Sequence, residues 1–249
     1  MAFPSLEAFI KDGAPTLGKG PYAMIFAEDL VEVDSSVWHA LSRGFRHVIV
    51  FGPDELALDP GLPASVKLVR HDVIAPDGVT RAVNAMIEAR PGEWMHYCYN
   101  AEYLFYPFCE TRTVGEMLAF HAEERRDAML CYVIDLYAGP ESGADDGVDL
   151  ETAHLDRTGY YALGRSDPLT GEPKERQLDF FGGLRWRFEE HIPPAKRKID
   201  RIALFRARPG VRLRENHTFT DEEYNTYSCP WHHNLTAAIA SFRTAKALR

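Results

Sequence analysis

From residue 20 to residue 140 the chain alternates short, almost wholly apolar runs with segments whose apolar residues recur every three or four positions. YAMIFAEDLVEV is an apolar run interrupted by Glu28 and Asp29, which predicts a strand ending at an acidic pair. DSSVWHALSRG follows as a helix, with Asp34 or Ser35 as its cap and Gly44 closing it in the left-handed conformation. FRHVIVFGPDE and VKLVRHDV are two further strands, the first closed by Gly52, Pro53 and Asp54. In GVTRAVNAMIEARPG, Val79, Ala82, Val83, Met86 and Ile87 keep the spacing of one helical face, and Pro91 and Gly92 stop it. WMHYCYNAEYLFYPF, residues 94–108, reads as one aromatic-rich fourth strand. TVGEMLAFHAEERRD begins with a capping box, Thr113 to Glu116, and AMLCYVIDLYAG is a fifth strand.

Strands alternating with helices, and apolar nearly throughout, predict an α/β fold with a mostly parallel central sheet covered by helices on both faces. Residues 1–20 form an N-terminal arm with one short helical piece, SLEAFI. Beyond residue 140 the periodicity fades into an acidic loop, GPESGADDGVD, and an irregular, aromatic-rich C-terminal half. KIDRIALFRA is a further strand. NLTAAIASFRTAKALR reads as a closing amphipathic helix, with Leu235, Ala238, Ile239, Phe242 and Leu248 on one face and Asn234 as a possible cap. The first half has only enough strands for an open, half-covered sheet. The second half is therefore expected to complete one domain spanning residues 1–249.

Charge narrows the partners. With 28 basic and 37 acidic residues, a net charge of −9, the chain lacks the basic surface that broad nucleic-acid binding needs. No apolar run reaches the roughly 18–20 residues of a membrane helix, so no membrane span is expected. MAFPSLEAFIKDG has no basic region ahead of an apolar core, which argues against a signal peptide and for a cytoplasmic location. Cys98, Cys109, Cys131 and Cys229 form no CxxC pair and read as reduced thiols.

Ligands of open α/β sheets sit beyond the carboxyl ends of the strands. Glu28 and Asp29, Asp54 and Glu55, and Asn100 with Glu102 fall there. On one strand, residues two apart share a face, so Asn100 and Glu102 point together and could hold Mg²⁺ or Mn²⁺ through oxygen. The same residues admit a structural reading, with Glu102 paired to a buried arginine and Asn100 bonded to backbone. In FFGGLRWRFEEHIPP, Gly182 and Gly183 permit close backbone approach, Arg185 and Arg187 suit a diphosphate, and Glu189 or Glu190 suits a general base. Asp156, beside aromatics that could stack on a sugar ring, is a second base candidate. CPWHHNL offers His232 or His233 to a metal, or as surface and capping groups. KRKIDR, residues 196–201, reads as a solvated basic face or a dock for an anionic lipid or polymer.

The order of strand, acidic pair, helix ending in glycine, strand, helix and strand with spaced oxygen ligands resembles glycosyltransferase family 2 and its GT-A fold. Ala27 and Glu28 stand where the short-domain branch of that family has an Asn-Glu pair. Asn100, Ala101, Glu102, Tyr103 and Leu104 stand at its D-x-D-E-F-L strand, with an amide, a weaker neutral ligand, in place of the first carboxylate. The resemblance covers about residues 20–140. It implies a nucleotide-sugar donor bound by residues 21–140, near Ala27, Glu28, Asp54 and Glu102, with Arg185 and Arg187 of the later half able to contact its diphosphate. It also implies a divalent Mn or Mg ion at Asn100, Glu102 and His232. A glycan, lipid or protein acceptor would lie under residues 141–249, and transfer would be an inverting single displacement. Two other readings stay open: a transferase-like binding module without catalysis, and a metal-dependent hydrolase using His96, Cys98, Asn100 and Glu102 on one strand face, which His232 could join.

Overall fold

A computed structural model describes residues 2–227 and 234–249. Its centre is a sheet of ten strands among the described residues. In chain order these are β1 (Ala2–Phe3), β2 (Tyr22–Phe26), β3 (His47–Gly52), β4 (Val66–Arg70), β5 (Trp94–Tyr99), β6 (Glu102–Phe105), β7 (Ala128–Ala138) and β8 (Ala153–Leu155). A separate antiparallel hairpin, β9 (Tyr161–Ser166) and β10 (Pro173–Phe181), precedes β11 (Asp200–Arg206) and β12 (Ala237–Ser241), which rejoin the main sheet. The helices are α1 (Leu6–Ala8), α2 (Val33–Ser42), α3 (Gly78–Ala89), α4 (Val114–Glu123), α5 (Leu184–Arg187) and α6 (Arg243–Ala247).

The strands run in the order β1-β4-β3-β2-β5-β11-β7-β12-β6, with β8 attached to β7. From β1 to β5 every pairing is parallel. Thereafter β11 is antiparallel to both neighbours, β12 is parallel to β7, and β6 closes the edge antiparallel to β12. The expected mostly parallel α/β sheet is therefore present. The chain moves from β2 to β3 and β4 on one side, then returns through α3 to β5 on the other. Right-handed crossovers in opposite directions put α2 and α3 on opposite faces. Strand order reverses at β2 and β5, where a crevice opens between the diverging connections.

The core explains these elements. Tyr22 through Phe26 are all buried, as a strand covered on both faces requires. Phe26 stacks on Phe51 of β3 with ring centroids 5.0 Å apart. Each such ring removed from water contributes about 1.5–3 kcal/mol. Val37 and Ala40 of α2, Val83 and Met86 of α3, and Val114 and Leu118 of α4 join the same core. The capping box at α4 is formed as the sequence predicts, and Gly44 ends α2 at φ +92°.

Three local expectations are corrected. Neither Asp34 nor Ser35 caps α2; that position is Glu32, in the left-handed region at φ 54°, with no side-chain cap. The fourth strand is not continuous. It breaks at Asn100 and Ala101, where Ala101 takes φ +59°, and splits into β5 and β6 at different places in the sheet. The C-terminal segment is not one amphipathic helix. Ala237, Ile239 and Ser241 alternate inward along β12, and only the short α6 is helical. Alanine-rich composition favours helix locally, but the slot between β7 and β6 decides the outcome.

Candidate functional site

The reversal at β2 and β5 opens into a cleft of about 800 Å³. Glu28 follows β2 and Tyr99 ends β5, both at carboxyl ends. Because β11 runs antiparallel, its first residues, Asp200 and Arg201, come to the same end of the sheet. The second half of the chain adds Asp179, Arg185, Lys196, Lys198, His217 and Arg243 to the walls.

Arg243 is the centrepiece of the crevice. Its guanidinium holds both Glu28 oxygens, at 2.6 and 2.7 Å, and lies 3.6 Å from the Tyr99 ring centroid. Arg201 lies over the same ring at 5.4 Å. Lys246 binds Asp29 at 2.8 Å. Lys196 is exposed on the cleft wall and makes no ion pair among the described residues.

Asn100 and Glu102 do not share a strand face, and neither lines the cleft. The Asn100 carbonyl accepts from the Glu28 N–H at 2.9 Å, and its amide donates to Asp29 at 2.6 Å and to the Val31 carbonyl at 2.8 Å. It is a buried brace for the loop after β2. Glu102 pairs with Arg201 and accepts from the Ser241 hydroxyl at 2.9 Å and the Tyr99 N–H at 2.9 Å. Burial alone would raise its carboxyl, but the Arg201 charge and these hydrogen bonds overcome it and hold it at about 2. Both side chains are consumed internally, so the pair as arranged does not fit a divalent ion. Among the described residues no three His, Cys, Asp or Glu side chains converge to hold a metal. His232 and His233 lie outside the described residues.

The other predicted site residues scatter. Ala27 is buried, and its N–H bonds the Phe51 carbonyl at 2.8 Å. Asp54 is exposed after β3 and off the cleft. Arg185 does reach the cleft, but it is buried against Asp135 at 3.4 Å and bonds Thr244 and the Lys198 carbonyl. Arg187 points elsewhere, to Asp156 at 3.1 Å. Asp156 is also tied to the Thr158 N–H and hydroxyl. Glu189 and Glu190 are exposed on a short turn outside the cleft. Gly182 and Gly183 both have positive φ, and the space a Cβ would take is filled by protein: the Tyr160 ring lies 2.5 Å from a Cβ on Gly182 and Asp135 lies 3.1 Å from one on Gly183. His96 is enclosed by Phe45 and the Ala203 carbonyl, and burial beside Arg201 lowers its imidazole to about 3.

Sequence reasoning missed His217 and Arg243. His217 sits at φ +61°, stacked on Tyr97 at 5.9 Å, with Nδ1 3.0 Å from the phenol oxygen. Burial, and the charges of Arg201, Arg243 and Lys198, lower it to about 3 and keep it neutral. Nothing near NHTFT marks this role. The KRKIDR run carried a usable signal. Lys196, Lys198 and Arg201 line the cleft, whereas Arg197 turns away to the carbonyls of Glu189 and Ile192.

No protein-family model matches the chain, and no curated protein matches it. Crystal structures of TarS from S. aureus are similar in part. The TarS 1–349 complex with UDP aligns at 13% identity over 49% of this chain and 37% of its own, with a TM-score of 0.28. A second crystal structure of TarS 1–349 aligns at 13% identity over 89% of this chain and 58% of its own, with a TM-score of 0.34. A third TarS structure aligns at 15% identity over 52% of this chain and 23% of its own, with a TM-score of 0.29. The chain thus spans less than two thirds of each TarS chain, and at these TM-scores the likeness defines no shared fold.

Proposed function

We propose that the protein is a GT-A-like glycosyltransferase that takes its sugar from a nucleotide-sugar donor seated in the cleft at the β2/β5 reversal. The observation that carries this reading is the convergence of Glu28, Tyr99, Arg243 and Lys196, which has no ion pair among the described residues, where an open α/β sheet presents its ligands. The family 2 resemblance of residues 20–140 supports it through Glu28, which lines the cleft, and not through Asn100 and Glu102. A planar base can stack against the Tyr99–Arg243 layer. Lys196 supplies positive charge to a diphosphate leaving group. No step is routed through a metal, because the Asn100–Glu102 pair does not fit one. The acceptor is a glycan, lipid or protein hydroxyl.

A second reading has its own observation. The motif that would carry catalysis is built into the core as Asn100 and Glu102, which favours a transferase-like module that binds without turning over. Thermal stability measured against UDP, GDP and their sugar conjugates, with and without Mn²⁺, tests for the donor site, since a ligand of the native state raises Tm. The transferase reading expects a shift with one nucleoside diphosphate, reduced by Lys196→Ala, and release of that diphosphate from its sugar conjugate. Binding without release supports the module. A flat panel removes the cleft as a nucleotide site.

A further inference from the structure

Four carboxylates line the cleft: Glu28, Asp179, Asp200 and Glu215. Their surroundings separate them. Both Glu28 oxygens are held by Arg243. Asp179 Oδ1 receives Arg165 at 2.6 Å and Lys198 at 3.2 Å. Glu215 is exposed on the rim. Asp200 is buried at the start of β11, and its Oδ1 accepts the Phe180 N–H at 2.7 Å. Among the described residues its Oδ2 has only a long contact, 3.4 Å, to Arg165. One oxygen of Asp200 is thus anchored to backbone and the other keeps its lone-pair capacity.

Building on the transferase reading, we propose that Asp200 is the general base of the reaction. Its Oδ2 takes the proton of the acceptor hydroxyl as that oxygen forms a bond to the anomeric carbon. The bond from that carbon to the diphosphate breaks, and its electron pair leaves with the nucleoside diphosphate. The proton passes from Asp200 to solvent when product departs. The facing charges suit the role. Lys198 on the preceding loop, Arg165 on β9 and Asp179 on β10 surround Asp200, and Tyr132 of β7 is its other titratable neighbour. Burial outweighs the Phe180 N–H and the nearby cations, so the carboxyl is raised above its ordinary range. That makes it a stronger base than the Asp179 carboxylate, which Lys198 and Arg165 hold low against the opposing effect of burial.

The test follows nucleoside diphosphate release from UDP-glucose, UDP-N-acetylglucosamine and GDP-mannose by the full chain, with mixed oligosaccharides as acceptors. It compares wild type, Asp200→Asn and Glu215→Gln. Asparagine keeps the acceptor for the Phe180 N–H, so Asp200→Asn is expected to retain the donor-induced Tm shift while kcat falls about 10²–10⁴-fold. The acid limb of the wild-type kcat/KM profile is expected above the usual aspartate range. This second readout needs no variant to fold. Turnover in Asp200→Asn within twofold of wild type overturns the assignment, as does a comparable loss confined to Glu215→Gln. Loss of the donor Tm shift along with turnover in Asp200→Asn places Asp200 in donor binding and also overturns it. Wild type that binds a donor but releases no diphosphate overturns the transferase reading itself, and the base with it.

Discussion

The two sides of the sheet are stabilised differently. From β1 to β5 the strands are parallel, apolar and sealed by α2 and α3, and their contacts are largely ring on ring and aliphatic on aliphatic. From β11 to β6 the sheet is assembled from distant segments, and charge crosses the seam. Glu28, Asp29, Glu102 and Asp135 come from the first half of the chain; Arg243, Lys246, Arg201 and Arg185 come from the second. Each of these four acids of the first half meets a base of the second. The ion pairs register the second half on the first, and four of their members, Glu28, Arg185, Arg201 and Arg243, also line the cleft.

The largest effect expected from breaking this arrangement is at Glu102. Glu102→Ala leaves Arg201 buried without its carboxylate, which costs about 3–5 kcal/mol. At roughly 2–4 °C per kcal/mol for a chain of this size, Tm falls on the order of 10 °C. Loss of activity in that variant would thus report unfolding, and Tm must be measured beside it. The double variant Glu102→Leu with Arg201→Met removes both charges and is expected to recover most of the stability. A Tm for Glu102→Ala within about 2 °C of wild type would show that the pair does not secure the seam.

The Glu102–Arg201 pair, 99 positions apart in the chain, separates what the sequence could reveal from what it could not. The parallel side was legible because each strand and helix declares itself within ten or so residues, by apolar runs, helical spacing, a capping box and glycine stops. The seam was not. Asn100 is a turn-former, and that signal was available. Ala101 at φ +59° is not a residue that advertises a left-handed turn. Its conformation is imposed by the Ser36 hydroxyl accepting its N–H and the Phe242 N–H bonding its carbonyl, partners 65 and more than a hundred positions away. Likewise β12 is a strand because it fills a slot between β7 and β6, which no local pattern in AAIAS encodes. The site suffered most, since its walls combine Glu28 with Lys196, His217 and Arg243.

Acid should loosen the seam before the parallel side. Glu102 has a folded value of about 2 against 4.5 for an unperturbed glutamate, so its contribution is complete above pH 4.5 and is lost as pH falls toward 2. The difference corresponds to roughly 3 kcal/mol. Asp29, lowered by Lys246, the Val31 N–H and Asn100 against the opposing effect of burial, acts in the same direction below 3.8. Asp135 and Asp200 act oppositely, because burial raises them and the folded state binds their protons more tightly; they gain stability as pH falls through their raised values. Hydrogen exchange at pH 5 and pH 3 separates the two sides. Amides of β11 and β12 are expected to lose protection at the lower pH more than those of β2 and β3. Equal loss across all four strands would mean that the sheet opens as one unit.

The smallest expected effect tests a feature confined to the first half. In α4 the Thr113 hydroxyl accepts the Glu116 N–H at 3.3 Å, and Glu116 returns a bond to the Thr113 N–H at 2.8 Å. Those hydrogen bonds, with Arg112 beside them, hold the Glu116 carboxyl at about 2 even though it is exposed to solvent. Thr113→Ala removes the cap and is expected to cost about 1 kcal/mol, a Tm decrease of roughly 2–4 °C. Because the hydrogen bonds of the box run among Arg112, Thr113 and Glu116, combining Thr113→Ala with Glu102→Ala should give additive losses within about 0.5 kcal/mol. A larger interaction energy would mean that α4 and the Arg201 pair unfold as one cooperative unit, and that the seam extends further into the first half than its ion pairs indicate.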